Sequence, residues 1–297
     1  MRLAIIILNL YSLILIESTY AEIVFVAHVN HNWDLFSIND NGNNLIQLTT
    51  TPFDEKTPSW SFDGKKIVYA TSDGHINILD VSTKKTQKID TNRKSPMITP
   101  SFSPDNKEIV LAQFKPFSPN RKDDTDLIIY NIKTNETYKL ISQYAIQMWP
   151  VWSPDRSNIV YSNIHCSAEC GRIIQELWIT DPDGGWARQL LMTHSLCQHP
   201  VWSPNGKKIA FSSDKSGNFD IWILYLDSGK LYQLTKNENL DVSPAWSPEG
   251  DKIAFISTRS GIMEIWIKNL VNKKLSKFRP FGNKPVECKD ISWSINH

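Results

Sequence analysis

A short phrase recurs along this chain at intervals longer than any hairpin and shorter than most domains. Thr57-Pro58-Ser59-Trp60-Ser61-Phe62-Asp63-Gly64 runs straight into Lys65-Lys66-Ile67-Val68-Tyr69. The pattern returns around Phe102, Trp152, Trp202 and Trp246, with a truncated copy at Trp293. These aromatic positions stand 42 to 50 residues apart. Self-similarity at that period marks a stacked repeat, and four short strands per repeat mark a β-propeller. The expected fold is all-β: six four-stranded antiparallel blades in a ring. Architecture of this kind leaves function open, because propellers host many unrelated activities.

Each repeat reads as four strands. Strand A is short and precedes a turn such as Ser203-Pro204-Asn205-Gly206, where proline presets φ and glycine tolerates a positive φ. Strand B follows, as in Ile67-Val68-Tyr69-Ala70 and Ile253-Ala254-Phe255-Ile256. Strand C opens with an acid in Asp126-Leu127-Ile128-Ile129, Glu176-Leu177-Trp178-Ile179, Asp220-Ile221-Trp222-Ile223 and Glu264-Ile265-Trp266-Ile267; His75 takes that place in the second repeat. Strand D is the weakest, as in Leu231-Tyr232-Gln233-Leu234-Thr235. The B and C strands are nearly continuous apolar runs, as a sheet covered on both faces requires.

The ends of the chain complement each other. Residues 1–21 read as a secretory signal, with Arg2, the mostly apolar run Leu3 to Ile16, and Ala21 at the expected cut. That run is short for a membrane span, and none other approaches the length needed. Residues 22–297 then form the propeller. They enter at a strand B, Ile23-Val24-Phe25-Val26, with no strand A before it. Asp290-Ile291-Ser292-Trp293-Ser294 is a strand A with nothing after it. The C-terminal strand is therefore expected to complete blade 1, closing the ring and burying edges that would template aggregation.

Lysine and arginine total 32 against 31 aspartate and glutamate, which gives no electrostatic case for nucleic acid. No Gly-x-Ser-x-Gly elbow or glycine-rich phosphate loop is present. Antiparallel blades put the A–B and C–D turns on one face of the disc and the B–C and D–A connections on the other. His31, His75, His165, His194 and His199 all map to the second face, as do His28, Cys166, Cys170, Cys197 and Cys288. His199 stands out because it directly precedes a strand A, the strand nearest the axis. These five histidines mark the expected partner or ligand face; whether they hold a metal is open, since no ligand spacing such as His-x3-His appears. Cys166, Cys170 and Cys197 are disulfide candidates in an exported chain, and a zinc site with His165 or His199 is the alternative.

The phrase Trp-Ser-Pro-Asp-Gly-Lys-Lys-Ile-Ala-Phe-Ser, followed by Asp-Ile-Trp-Ile and Gln-Leu-Thr, resembles the WD40-like repeat of TolB-type propellers. The resemblance covers all of residues 22–297. Members place an α/β domain ahead of the propeller, whereas here blade 1 begins at the signal boundary. The resemblance implies an exported, non-catalytic, monomeric protein-binding module of the cell envelope, periplasmic or secreted, with no cofactor and with an envelope lipoprotein as a candidate partner. Oligogalacturonate lyases and prolyl-oligopeptidase-type peptidases carry a similar repeat. The rival expectation is accordingly a metal-dependent polysaccharide lyase or hydrolase with a histidine-lined site at the propeller axis.

Overall fold

The computed structural model describes residues 21–89, 95–115, 125–142, 145–166 and 173–294, with the side chains of 165 and 166 left aside. Residues 1–20, expected to belong to a signal segment, lie outside them, as do Cys170 and most of the connection around it.

Six separate four-stranded sheets form the ring. In five blades, strands A to D follow one another in sequence. In the remaining sheet the order is Cys288–Trp293, Glu22–Val29, Asn32–Asn39, Ile46–Gln47, so the C-terminal strand is strand A of blade 1. Ile23 pairs with Trp293 and Ala27 with Cys288. The Glu22 and Ser294 backbones clasp the seam: Ser294 N–H donates to Glu22 O, and Glu22 N–H to Ser294 Oγ, each at 2.8 Å. The other inner strands are Glu55–Trp60, Met97–Phe102, Ile146–Trp152, Cys197–Trp202 and Asp241–Trp246.

Apolar side chains on both faces of each blade build six clusters, one per seam between neighbours. Between blades 6 and 1, Phe25, Phe36 and Ile38 meet Ala254, Ile256 and Ile265. Between blades 1 and 2, Val24 and Leu35 meet Ile67, Tyr69 and Leu79. The repeated Trp of strand A fills this layer, which explains its recurrence: Trp60, Trp152, Trp246 and Trp293 are all buried.

The repeated turn has a hydrogen-bond reason. Ser61 Oγ accepts from Lys66 N–H and donates to Asp63 at 2.7 Å. Ser103, Ser153, Ser203 and Ser247 do the same with their own turns. Asn106 and Arg156 stand where other turns have glycine, and both still adopt a positive φ. The acid that opens strand C is a clip to strand D. Gln233 and Thr235 both donate to Asp220, and Gln47 donates to Asp34. Lys139 and Lys277 replace the glutamine opposite Asp126 and Glu264.

Two residues assigned from sequence to connections, His165 and Cys197, lie within strands. In blade 4, strand B runs on to Cys166 and strand C starts at Ile173, with His165 opposite Ile174. His165 thus belongs to the strand rather than to a loop after it, because backbone pairing continues beyond the apolar run that marked the strand. Likewise 197–199 is strand rather than linker, and Gln175 bridges Leu196 just before it.

Candidate functional site

Every inner strand carries one extra residue at the same register. Lys56 pairs with Ala70 but Ser59 with Val68, so two residues of blade 2 face a gap of one. The same shift occurs in the other five blades. A bulge of this kind turns one side chain out of the sheet. Here the residues turned out are Thr57, Thr99, Trp149, His199, Ser243 and Asp290. All six sit in the left-handed region, at φ 47, 51, 50, 51, 53 and 47°. None is glycine, and two are β-branched threonines, for which that region is a true outlier. Each position costs roughly 1–2 kcal/mol relative to an ordinary backbone.

These six residues ring a cavity of about 180 Å³ on the axis. Pro58, Pro100, Pro150, Pro200 and Pro244 follow five of them and form apolar wall; Ile291 replaces the sixth proline. The ring is chemically uneven. Trp149 and His199 are neighbours, their rings 4.2 Å apart and inclined by 42°. Asp290 stands in blade 1, where its carboxylate accepts from Thr57 N–H at 3.1 Å. Thr99 Oγ1 accepts from Trp149 N–H at 3.2 Å, so neighbouring blades are tied by side chain to backbone across the ring. His199 Nδ1 and Thr57 Oγ1 are shielded from solvent and have no hydrogen-bond partner among the described residues. Burial pulls the His199 pKa down to about 4 and outweighs the opposing pull of Asp290, so the imidazole is neutral near pH 7. The result is a small cavity with one aromatic pair, one carboxylate and two unsatisfied polar atoms.

The four histidines of the expected face with described side chains do not converge. His199 lines the axis. His194 is exposed, with its N–H on Glu176 Oε1 at 3.0 Å. His31 is the second residue of a two-residue hairpin turn with Asn30, both at positive φ. His75 pairs with Asp73 at 2.9 Å within its own turn. The His165 side chain lies outside the described residues. Among the described residues, no three His, Cys, Asp or Glu side chains come together in a way that could hold a metal ion. Only His199 among the described histidines lines the cavity.

The cysteine expectation needs correction at Cys197. It is a free thiol at full burial in the inner strand of blade 5, with Sγ 3.3 Å from Thr193 Oγ1. Burial raises its pKa, and that of Cys288 reaches about 12. Such thiols are inert packing groups. The strand places Cys197 in the core. A bond between Cys166 and Cys170 falls outside the described side chains.

The residues missed from sequence are Trp149, Asp290, Thr57, Thr99 and Ser243. Their signal is visible in retrospect: four of them, like His199, directly precede the proline of strand A.

Comparison with known proteins follows the same lines. The sequence model of the TolB beta propeller domain matches residues 19–171 and 172–290. The Tol-Pal system protein TolB of Francisella tularensis subsp. mediasiatica is 41% identical over 98 residues, which is 32% of this chain and 21% of that protein. The chain thus aligns with about a fifth of the length of the curated relatives it matches. Among solved structures, TolB from Acinetobacter baumannii superposes with a TM-score of 0.76 at 20% identity, covering 92% of this chain and 66% of that one. A putative TolB from Agrobacterium tumefaciens gives 0.69 at 17% identity, covering 91% and 98%. At these identities the structural likeness speaks to fold alone. The match of the domain model to nearly all of the described residues decides the family: the chain belongs to the TolB beta propeller domain family.

Proposed function

We propose that this chain is an exported, non-catalytic protein-binding module of the cell envelope, and that it holds its partner at the axial cavity. The observation that carries the reading is the ring of six strained, non-equivalent residues. Strain repeated at six sites persists only where the surrounding structure enforces it, and such strain gathers at binding and catalytic sites. A symmetric ring would serve packing alone; the sequence Asp290, Thr57, Thr99, Trp149, His199, Ser243 makes it asymmetric, as recognition of one partner requires. The Trp149 and His199 pair offers a flat apolar anchor, and the unpartnered His199 Nδ1 offers a hydrogen bond. The similar chains named TolB belong to a Tol-Pal system, which supports a protein partner of the envelope, with a lipoprotein as the candidate class. The proposal includes cleavage after Ala21, a periplasmic or secreted location, a monomer, and a Cys166–Cys170 disulfide.

Affinity capture from an envelope extract tests it. Trp149→Ala and His199→Ala should each keep the parent melting profile and lose most captured partner. Substituting Lys65, Lys107 and Lys207 on the turn face should leave capture unchanged. Loss with the lysine set and retention with the axial set would place the site on the wrong face.

A further inference from the structure

In every blade the first isoleucine of strand B faces one residue of strand C across the sheet. Five of these pairs are Ile23–Ile38, Ile67–Leu79, Ile109–Tyr130, Ile159–Thr180 and Ile209–Leu224. All five strand C residues are buried, at 3% exposure or less. In blade 6 the partner of Ile253 is Lys268, which is half-buried. A seam position that is core elsewhere thus carries an ammonium group.

A cavity of about 360 Å³ opens beside it, between the outer strand of blade 5 and strands C and D of blade 6. Its charged lining residues are Lys236, Arg259 and Lys268, with no carboxylate among them. Arg259 is held rigidly. Its Nε donates to Ser257 Oγ at 2.7 Å, one terminal nitrogen donates to both oxygens of Asp241 at 2.8 and 2.6 Å, and its plane lies against Phe255 and Trp266. The second terminal nitrogen makes no hydrogen bond among the described residues. Asp241 balances the Arg259 charge, and neither Lys236 nor Lys268 has a carboxylate partner among the described residues. Lys268 Nζ uses one donor on Lys273 O at 2.7 Å and keeps two. Tyr232 and Asn237 add polar atoms to the wall. The Arg259 position varies among blades, with Lys215 in blade 5 and Asp73 in blade 2, so the departure from the repeat at this cavity is Lys268. Departures from an otherwise consistent repeat gather where a site is built.

We propose that this rim cavity binds a small oxyanion, a carboxylate or a phosphate group, between Lys268, Lys236 and the free edge of the Arg259 guanidinium. Rigid planar donors beside a mobile ammonium suit either group. The site is separate from the axial cavity and does not depend on it.

Calorimetric titration of the intact protein with inorganic phosphate and with acetate, at matched ionic strength, tests the proposal. Lys268→Leu installs the residue that blades 2 and 5 carry at this position, so the fold is kept or gains stability. The parent should show saturable binding, weakened about tenfold in Lys268→Leu, the loss expected for one charge-assisted hydrogen bond. Lys236→Gln should weaken it as well, and Lys107→Gln on the turn face should not. Tighter phosphate binding identifies a phosphate ligand, and equal or tighter acetate binding identifies a carboxylate. No saturable binding of either anion, or the same affinity in Lys268→Leu, overturns the proposal and leaves Lys268 a lysine whose stem merely fills the seam.

Discussion

Replacing Glu55 by glutamine should remove a pH-dependent weakness in the seam between blades 1 and 2. Glu55 opens the inner strand of blade 2 at full burial. Thr49 and Thr51 donate to its two oxygens at 3.0 and 2.7 Å. Its neighbour across the seam is Asp34, also buried, which accepts from Asn32 and Gln47. Neither carboxyl has an ion pair among the described residues, and the nearby charge of Asp54 is also negative. In blade 6 the matching acid, Asp241, has Arg259 beside it. Burial, with Asp34 adding to it, lifts the Glu55 pKa from 4.5 to about 7. At about 1.4 kcal/mol per pKa unit, that amounts to about 3 kcal/mol. The sign follows from linkage: the folded protein holds the proton more tightly, so the stabilisation is complete below about pH 4.5 and is lost as pH rises to about 7. Glutamine mimics the protonated acid and can donate to Asp34. Urea unfolding between pH 5 and 8 should show the parent losing up to about 3 kcal/mol more than Glu55→Gln, with similar stability at pH 5. Parallel profiles for the two proteins would refute the reasoning.

Three further outcomes follow from the geometry. Thr57→Asn should raise stability by about 1 kcal/mol in urea unfolding, because asparagine tolerates the left-handed backbone and Thr57 Oγ1 has no partner to lose. Gly184→Ala should cost at least about 2 kcal/mol in the same assay, since a Cβ there would stand 2.1 Å from Leu140 O at a φ of +70°. Removing residues 287–297 should strip strand A from blade 1, bare the edge of Glu22–Val29 and cause aggregation on size-exclusion chromatography; a soluble monomer with the parent melting temperature would contradict ring closure.

Blade number, strand order and closure were legible because they rest on local chemistry repeated six times. The Ser-Pro-Asp-Gly turn, the buried Trp and the apolar B and C strands each state their own conformation. The axial site was less legible. His199 stood out by its place before strand A, but Trp149 reads as one more aromatic in an aromatic strand, and Asp290 lacks the proline that follows the other five. What brings them together is a bulge, a register property of two strands that no single strand carries. The histidine face failed to converge for a related reason: topology assigns His31, His75, His194 and His199 to one side of the disc, but only the inner strand approaches the axis. Cys197 was misread because the strand begins earlier than its apolar run suggests.

Ring closure has a consequence for the order of folding. The bond between Glu22 N–H and Ser294 Oγ spans 272 positions of the chain, whereas every other blade is assembled from consecutive strands. Blades 2 to 6 can form as the chain is synthesised, but blade 1 must wait with one edge open until the final strand is available. Joining ends so distant is entropically cheap per added residue, since each doubling of the loop costs only about 0.6 kcal/mol. The burden is kinetic: the last event is also the most non-local, and non-local pairings are the slow ones. A nascent chain thus spends its longest interval with Ile23, Phe25 and Ala27 beside an empty groove. During that interval any passing extended strand, from another copy or another protein, competes with the chain's own terminus for the vacant place.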